Sequence, residues 1–156
     1  MFPANFLTVK RISCANTAAS KKRVLEEIGR LLATSNPDLK IEEVFDRLLE
    51  RERLGSTGLG NGIGLPHARM PGVEQACGAF MQLQSGVDYD AIDGNPVDLV
   101  FGLLVPEDAT QEHLQLLAKL ASLFSNEKFC DMLRTTDDPD VLEHKIMHWE
   151  ELAQTA

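Results

Sequence analysis

Residues 97–105 read Val-Asp-Leu-Val-Phe-Gly-Leu-Leu-Val, a run that is almost wholly apolar. Short apolar runs of this kind are typical of a central strand that is covered on both faces of its sheet. The preceding Asp93-Gly94-Asn95-Pro96 predicts a turn. Upstream, the alternation within residues 76–84 predicts a second strand, and residues 63–68 predict a short strand or strand end.

Two helices are predicted before these strands. Apolar residues recur every three to four positions in residues 20–33 and again in residues 39–53. Ser20 is predicted to cap the first helix and Asp38 the second, because short polar side chains bond the free amides of a first turn.

Helical spacing returns after residue 110. One helix is predicted with Thr110 or Asp108 at its N-cap. Its predicted buried stripe comprises Leu114, Leu117, Leu120, Ala121 and Phe124. A short helix is predicted over residues 126–134, and Asp138-Pro139 predicts the start of a last helix. Helices before and after a group of strands indicate an α/β fold with helices packed on a central sheet.

Length and composition exclude several classes of protein. The 156 residues predict one domain over 1–156, and an apolar content of 44% suffices for an ordinary core. With a net charge of −9, the chain shows no basic footprint for a nucleic acid. No charge-free apolar run reaches the roughly 18 residues of a membrane span, and the N-terminus lacks the order of a signal peptide. We therefore expect a soluble, cytoplasmic protein without membrane insertion.

The most informative stretch for function is Gly55-Ser-Thr-Gly-Leu-Gly-Asn-Gly-Ile-Gly-Leu-Pro-His67-Ala-Arg69. It does not satisfy the dinucleotide pattern G-x-G-x-x-G, and it has no lysine for a phosphate-binding P-loop. The serine elbow G-x-S-x-G fails as well, because Ser56 directly follows Gly55. What remains is a histidine directly after a proline, at the end of a glycine-rich segment.

This arrangement suits a histidine that accepts a phosphoryl group. Pro66 fixes the backbone before His67, and the neighbouring glycines let other groups approach closely. A neutral imidazole is an effective nucleophile near neutral pH. Phosphoryl transfer further needs positive or N–H groups around the transferred oxygens, for which Arg51 and His113 are the candidates. His113 falls in the first turn of its helix, where anions are favoured.

Other roles for these residues stay open at this point. His67 and His113 could be ordinary structural histidines, and Arg51 could only satisfy carbonyl groups at the end of its helix. His144 and His148 have the i, i+4 spacing of metal ligands, but no third ligand is evident. The three cysteines, Cys14, Cys77 and Cys130, fit neither a disulfide framework nor a zinc pattern. We expect neither a metal nor a cofactor.

Two segments resemble the enzyme IIA family of the bacterial phosphotransferase system, of the fructose–mannitol and nitrogen-regulatory type. They are Gly58 to His67 and Tyr-Asp-Ala-Ile-Asp-Gly-Asn-Pro-Val-Asp-Leu-Val-Phe-Gly-Leu-Leu-Val-Pro over residues 89–106. The residues of these two segments are most similar to the nitrogen-regulatory branch, and the resemblance extends from about Leu7 to Trp149. It implies an α/β sandwich with a central mixed β-sheet, helices on both faces and a domain core over about 7–149.

The resemblance also implies a set of roles. His67 matches the family's phosphorylated histidine, which receives phosphate, usually on Nε2, from a small HPr-type carrier that is charged from phosphoenolpyruvate. Arg51, in Arg51-Glu52, matches the family's supporting arginine. His113, in Glu112-His113-Leu114, matches its second histidine. The surface around His67 is then expected to be mainly apolar with an acidic rim that fits a basic carrier.

Three functions follow as alternatives. The first is a regulator whose phosphorylation state switches its binding to target proteins. The second is a sugar-uptake relay that passes phosphate to a IIB domain, and the third is a non-catalytic module that binds small anions. The sequence departs from the family at Ala68, where relatives commonly have glycine, and at Gly64-Leu65, which replaces Ala-Ile. Neither departure removes a reactive group.

Overall fold

The computed structural model describes residues 2–155, and the side chains of residues 2–152. Its strands are β1 (Ile12–Asn16), β2 (Gly58–Gly60), β3 (Ile63–Gly64), β4 (His67–Met70), β5 (Cys77–Val87) and β6 (Val97–Pro106). Its helices are α1 (Lys21–Ala33), α2 (Ile41–Arg53), α3 (Thr110–Phe124), α4 (Glu127–Thr135), α5 (Pro139–Met147) and α6 (Trp149–Thr155). A single 3-10 turn, Val9–Arg11, precedes β1 among the described residues.

The sheet is mixed and has the order β1-β5-β6-β3-β2, with β4 also paired to β6. Strand β6 runs antiparallel to β5 and parallel to both β3 and β4. Residues Leu99–Leu104 of β6 are fully or almost fully buried, which confirms the predicted central strand. The predicted strand over residues 63–68 is instead two short ones, because Leu65 and Pro66 interrupt the ladder between β3 and β4.

Helices cover both faces of the sheet, as predicted. One core cluster joins α1 and α2 to the sheet and includes Val24, Ile28, Val44, Leu48, Met81, Val100 and Leu104. The other joins α3, α4 and α5 to the opposite face and includes Phe80, Phe101, Leu103, Leu120, Leu133 and Ile146. The alternation of β6 side chains between the two clusters follows from the two-residue period of a strand. The chain therefore has the predicted α/β layers.

Helix starts agree with the sequence in two cases and disagree in two. The side chain of Ser20 accepts a hydrogen bond from the amide of Arg23, and Asp138 does the same for Asp140. Asp38 is not the cap of α2, since Lys40 occupies that position without a side-chain cap bond. Neither Thr110 nor Asp108 caps α3, because the residue at its N-cap is Ala109.

The buried face of α3 also differs from the prediction. The stripe consists of Leu116, Leu120, Leu123 and Phe124, whereas Leu114 is 67% exposed and Ala121 is exposed. This helix carries apolar residues around most of its circumference, so periodicity alone could not select the face that meets the sheet. The last predicted helix is divided at His148 into α5 and α6, and strand β1 was not predicted. None of the helices in the described part of the chain is long and apolar enough to cross a membrane.

Candidate functional site

His67 is the first residue of β4, the strand that pairs with β6 directly after Pro66. The carbonyl of Pro66 accepts the amide of Leu103 at 2.9 Å, which fixes the backbone directly before the histidine. The Nδ1 atom of the half-buried imidazole lies 2.8 Å from the carbonyl oxygen of Leu65. Because a carbonyl can only accept, Nδ1 carries the proton of the neutral ring and Nε2 keeps the free electron pair.

The surroundings of His67 keep its ring neutral. Burial lowers the pKa of His67, and the charge of Arg51 lowers it further. The bond to Leu65 and the charge of Glu52 act in the opposite direction but do not cancel the effect of burial. At neutral pH the imidazole therefore has a fixed tautomer and an available electron pair, which are the two properties of a nitrogen nucleophile.

His113 lies beside His67, in the first turn of α3. The two ring centroids are 5.2 Å apart and the rings meet edge to face, at 67°. Burial, followed by the charges on His67, Arg69 and Arg51, lowers the pKa of His113 to about 4. Its Nε2 atom is buried and has no hydrogen-bond partner among the described residues. An unpaired buried nitrogen is costly, so this atom is a ready contact for a bound anion if it carries the ring proton.

Arg51 is in the last turn of α2, and its side chain is half-buried. Its Nη1 atom donates to the carbonyl of Gly55 at 2.9 Å, which is the carbonyl-capping role considered from the sequence. The guanidinium also lines the cleft that contains His67. Since arginine has five N–H donors in a rigid fork, anchoring one side leaves others for phosphate oxygens.

A cleft of about 540 Å³ brings the three predicted residues together. Its lining comprises Arg47, Glu50, Arg51, Leu54, His67, Ala68, Arg69, Glu107 and His113. The sequence analysis missed Arg47 and Arg69. Their spacing could have indicated them: Arg47 precedes Arg51 by one helical turn, and Arg69 follows His67 by two residues in a strand.

The character of this surface agrees with the expected one in part. Leu54, at the edge of the cleft, is 84% exposed, and this agrees with an apolar component. The cleft lining itself is not acidic, because it contains three arginines and two glutamates. The acidic rim of the wider docking surface stays a prediction. Positive charge around a neutral imidazole favours an anion at this place.

The two departures from the family pattern have small effects. Ala68 is buried, with its methyl group in the core cluster of α1 and α2, while the half-buried ring of His67 faces the cleft. At Gly64, an added Cβ would lie 3.3 Å from Cγ1 of Val97 and 3.4 Å from Cζ of Tyr89. An alanine there would need a shift of a few tenths of an ångström.

The second pair of histidines is not part of this site. The rings of His144 and His148 are 4.6 Å apart, and Nδ1 of His148 lies 3.7 Å from a carboxylate oxygen of Glu151. Within residues 2–152, no three histidine, cysteine or acidic side chains form a group that could hold a metal ion. All three cysteines are free thiols.

Comparison with known protein families supplies the wider context of the cleft. Residues 5–148 match the model of the phosphoenolpyruvate-dependent sugar phosphotransferase system, EIIA 2. The chain belongs to this family. Among curated members, a nitrogen regulatory protein of Pseudomonas aeruginosa is 47% identical over 79% of this chain and 80% of its own length. The nitrogen regulatory protein of Escherichia coli K12 is 41% identical over 92% of this chain and 85% of its own length.

Solved EIIA structures have the same fold. The nitrogen regulatory protein IIA-Ntr of Neisseria meningitidis superposes with a TM-score of 0.84 at 45% identity, over 89% of this chain and 94% of that one. The IIA mannitol protein of Escherichia coli gives a TM-score of 0.70 at 26% identity, over 86% of this chain and 94% of that one.

A sugar-specific relative is less similar in sequence than the nitrogen regulatory proteins. A fructose-specific EIIA component of Haloferax volcanii is 32% identical over 85% of this chain and 86% of its own length. These figures support the resemblance to the nitrogen-regulatory branch.

Proposed function

We propose that this EIIA protein is a phosphocarrier that accepts a phosphoryl group on Nε2 of His67 and regulates target proteins by its phosphorylation state. The observation that carries the proposal is the 2.8 Å bond between Nδ1 and the Leu65 carbonyl. It assigns the ring proton to Nδ1 and so leaves Nε2 as the nucleophilic atom. We also propose that the chain acts as one cytoplasmic domain.

The transfer step needs no base. The electron pair on Nε2 attacks the phosphorus of a phosphohistidine on an HPr-type donor, which is the donor expected for this family. A new N–P bond forms as the donor's N–P bond breaks, and that bond's electron pair returns to the donor imidazole. Nε2 carries no proton to be removed, and the Leu65 carbonyl keeps its bond to Nδ1–H while the ring takes up positive charge.

Arg51 and His113 stabilise the transferred group in this proposal. Arg51 supplies a permanent charge, and its fork can contact two phosphoryl oxygens. His113, with a pKa of about 4, is neutral at pH 7 and would contribute a hydrogen bond from Nε2. Each contact is worth a few kcal/mol at most, since one preorganised donor typically contributes about 3 kcal/mol to a transition state.

The regulatory role is favoured over a sugar relay by the relatives. Those at 41% and 47% identity are named nitrogen regulatory proteins, whereas the fructose-specific component is 32% identical. Phosphorylation would add about two negative charges to a cleft that holds three arginines, which changes what the surface can bind.

The relay function remains the second candidate. A solved complex joins the mannitol IIA enzyme of Escherichia coli to phosphorylated IIB, and its IIA chain shares this fold with a TM-score of 0.70 at 23% identity. The relay would be favoured if this protein passed its phosphoryl group to a IIB domain as fast as cells take up the sugar. The third alternative, anion binding without a covalent step, predicts no phosphoprotein at all.

The test is a phosphorylation assay with phosphoenolpyruvate, the general first enzyme of the system and HPr. We expect one phosphate per chain, labile to acid and stable to alkali, mapped by mass spectrometry to His67. His67→Ala should abolish labelling, and the matched variant His144→Ala, outside the cleft, should be labelled like the wild type. Full labelling of His67→Ala would overturn the proposal.

A further inference from the structure

A buried carboxylate lies next to Arg51, one of the residues that line the cleft. The side chain of Glu52, next to Arg51 in α2, is only 3% exposed. Its Oε1 atom pairs with Nζ of Lys21 at 2.9 Å and accepts the amide of Thr57 at 3.1 Å. Its Oε2 atom accepts the hydroxyl of Thr57 in a short hydrogen bond. A buried carboxylate with this many partners is fixed in one position.

The direction of the hydrogen bonds around Thr57 follows from the chemistry of the partners. A carboxylate only accepts, so the Thr57 hydroxyl donates to Glu52. The hydroxyl of Tyr89 lies 3.1 Å from Oγ1 of Thr57 and also bonds Glu52, so its proton is shared within this buried group. Burial, together with the charge of Glu52, raises the pKa of Tyr89, so the phenol keeps the proton that it donates.

Thr57 connects this carboxylate to the reactive ring through the backbone. Its carbonyl oxygen accepts the amide of Leu65 at 3.0 Å, and the carbonyl of Leu65 accepts Nδ1–H of His67 at 2.8 Å. The amide of Leu65 is therefore held by Thr57, and the carbonyl of Leu65 holds the ring of His67. Because Pro66 follows, Leu65 has little freedom to compensate for a displaced Thr57.

The other end of the same segment leads to the arginine. The amide of Gly55 bonds the carbonyl of Glu52 at 3.1 Å, and the carbonyl of Gly55 accepts Nη1 of Arg51 at 2.9 Å. The loop between α2 and β2 thus contacts both the guanidinium and, through Thr57, the imidazole.

We propose that Glu52 is a positioning residue for His67, acting through Thr57 and the Leu65 carbonyl to hold the imidazole in its Nδ1–H tautomer with Nε2 directed into the cleft. Its importance for transfer rests on the proposed function, whereas its effect on the tautomer does not. Glu52 itself does not touch the transferred group.

The experiment measures the His67 tautomer by ¹⁵N NMR at a pH where the ring is neutral. In Glu52→Gln and in Thr57→Val we expect the ratio of Nδ1–H to Nε2–H forms to fall about fivefold, the effect of weakening one hydrogen bond. Thr57→Ser keeps the hydroxyl and should retain the wild-type ratio. Asp98→Asn removes a carboxylate that pairs with Arg134 at 2.8 Å, away from this chain of bonds, and controls for the loss of an ion pair.

Transfer kinetics provide the second readout. In Glu52→Gln and Thr57→Val, kcat should fall about tenfold while KM for the phosphorylated donor stays within about twofold, because alignment and not docking is lost. If Glu52→Gln does not fold, the pair Thr57→Val and Thr57→Ser carries the test. An unchanged tautomer ratio in the folded Glu52→Gln or Thr57→Val variants would overturn the inference. A wild-type protein that shows the Nδ1–H form but accepts no phosphate would instead refute the proposed function.

Discussion

Gly58, in β2, lies against the loop that carries Tyr89, and replacing it with alanine should lower the stability of the protein. An added Cβ would lie 2.7 Å from Cβ and 2.8 Å from Cα of Ala91. Carbon atoms in contact are usually about 3.5 Å apart, so the overlap is about 0.8 Å. One of the two atoms belongs to the backbone of a residue that is 9% exposed, so the whole loop must move.

The magnitude follows from two opposing effects. Overpacking of this kind costs about 1–3 kcal/mol. Replacement of glycine by alanine returns about 0.5–1 kcal/mol, because the unfolded chain loses freedom. Because a backbone atom must move, the overpacking cost lies in the upper part of that range, about 2–3 kcal/mol, and the net loss is about 1–2.5 kcal/mol. For a chain of this size, this lowers the Tm by about 2–10 °C. Urea denaturation followed by circular dichroism measures it, with an unchanged m-value as the sign that both end states are preserved.

Two further variants make this prediction specific. Gly29→Ala is the matched control, because the nearest atom to its added Cβ, the backbone nitrogen of Phe45, is 3.4 Å away and the site is helical. It should raise stability by about 0.5–1 kcal/mol. Ala91→Gly should rescue Gly58→Ala only in part, since the Cα of residue 91 remains at 2.8 Å. Wild-type stability of Gly58→Ala, or full additivity of the two changes, would refute the reasoning.

The other predictions concern pH and the helix α4. The pKa of His67 is lowered, so the rate of phosphoryl acceptance should still be above half of its maximum at pH 6.5 and pass its midpoint only at lower pH; a midpoint at or above pH 6.5 would contradict this. Arg134 donates to both carboxylate oxygens of Asp98 and to the carbonyl of Asn61 at 2.8 Å. Arg134→Met should therefore cost about 1 kcal/mol in urea denaturation, because it removes the partner of the half-buried Asp98 carboxylate. Equal stability of this variant and the wild type would show that the hydrogen bonds of Arg134 do not stabilise the fold.

The secondary structure was predictable where a pattern was strong and local. The central strand β6 is a continuous apolar run, and the caps at Ser20 and Asp138 follow from side chains that bond amides two or three residues away. Strand β1, over Ile12–Asn16, has no such pattern, because it is a five-residue edge strand of mixed burial that exists through its parallel pairing with β5.

The site was predictable to a similar extent. His67 was indicated by its proline and by the glycine-rich approach, and Arg51 and His113 by the chemistry that a phosphoryl group requires. The contribution of Arg47 and Arg69 depends on α2 lying beside β4, which the sequence does not specify. The charge of the cleft lining has the same origin, since it results from which charged residues three separate segments bring together.

The order of residues alone determined the layers of helix and sheet and the choice of His67 as the candidate nucleophile, because these depend on periodicities and on neighbours along the chain. The tertiary structure decided which ring nitrogen of His67 is free and that burial lowers the pKa values of His67 and His113. It also decided that the carboxylate of Glu52 bonds Thr57. Those properties depend on distances between groups that are far apart in sequence: Lys21, for example, meets Glu52 only when α1 and α2 pack on the same face of the sheet.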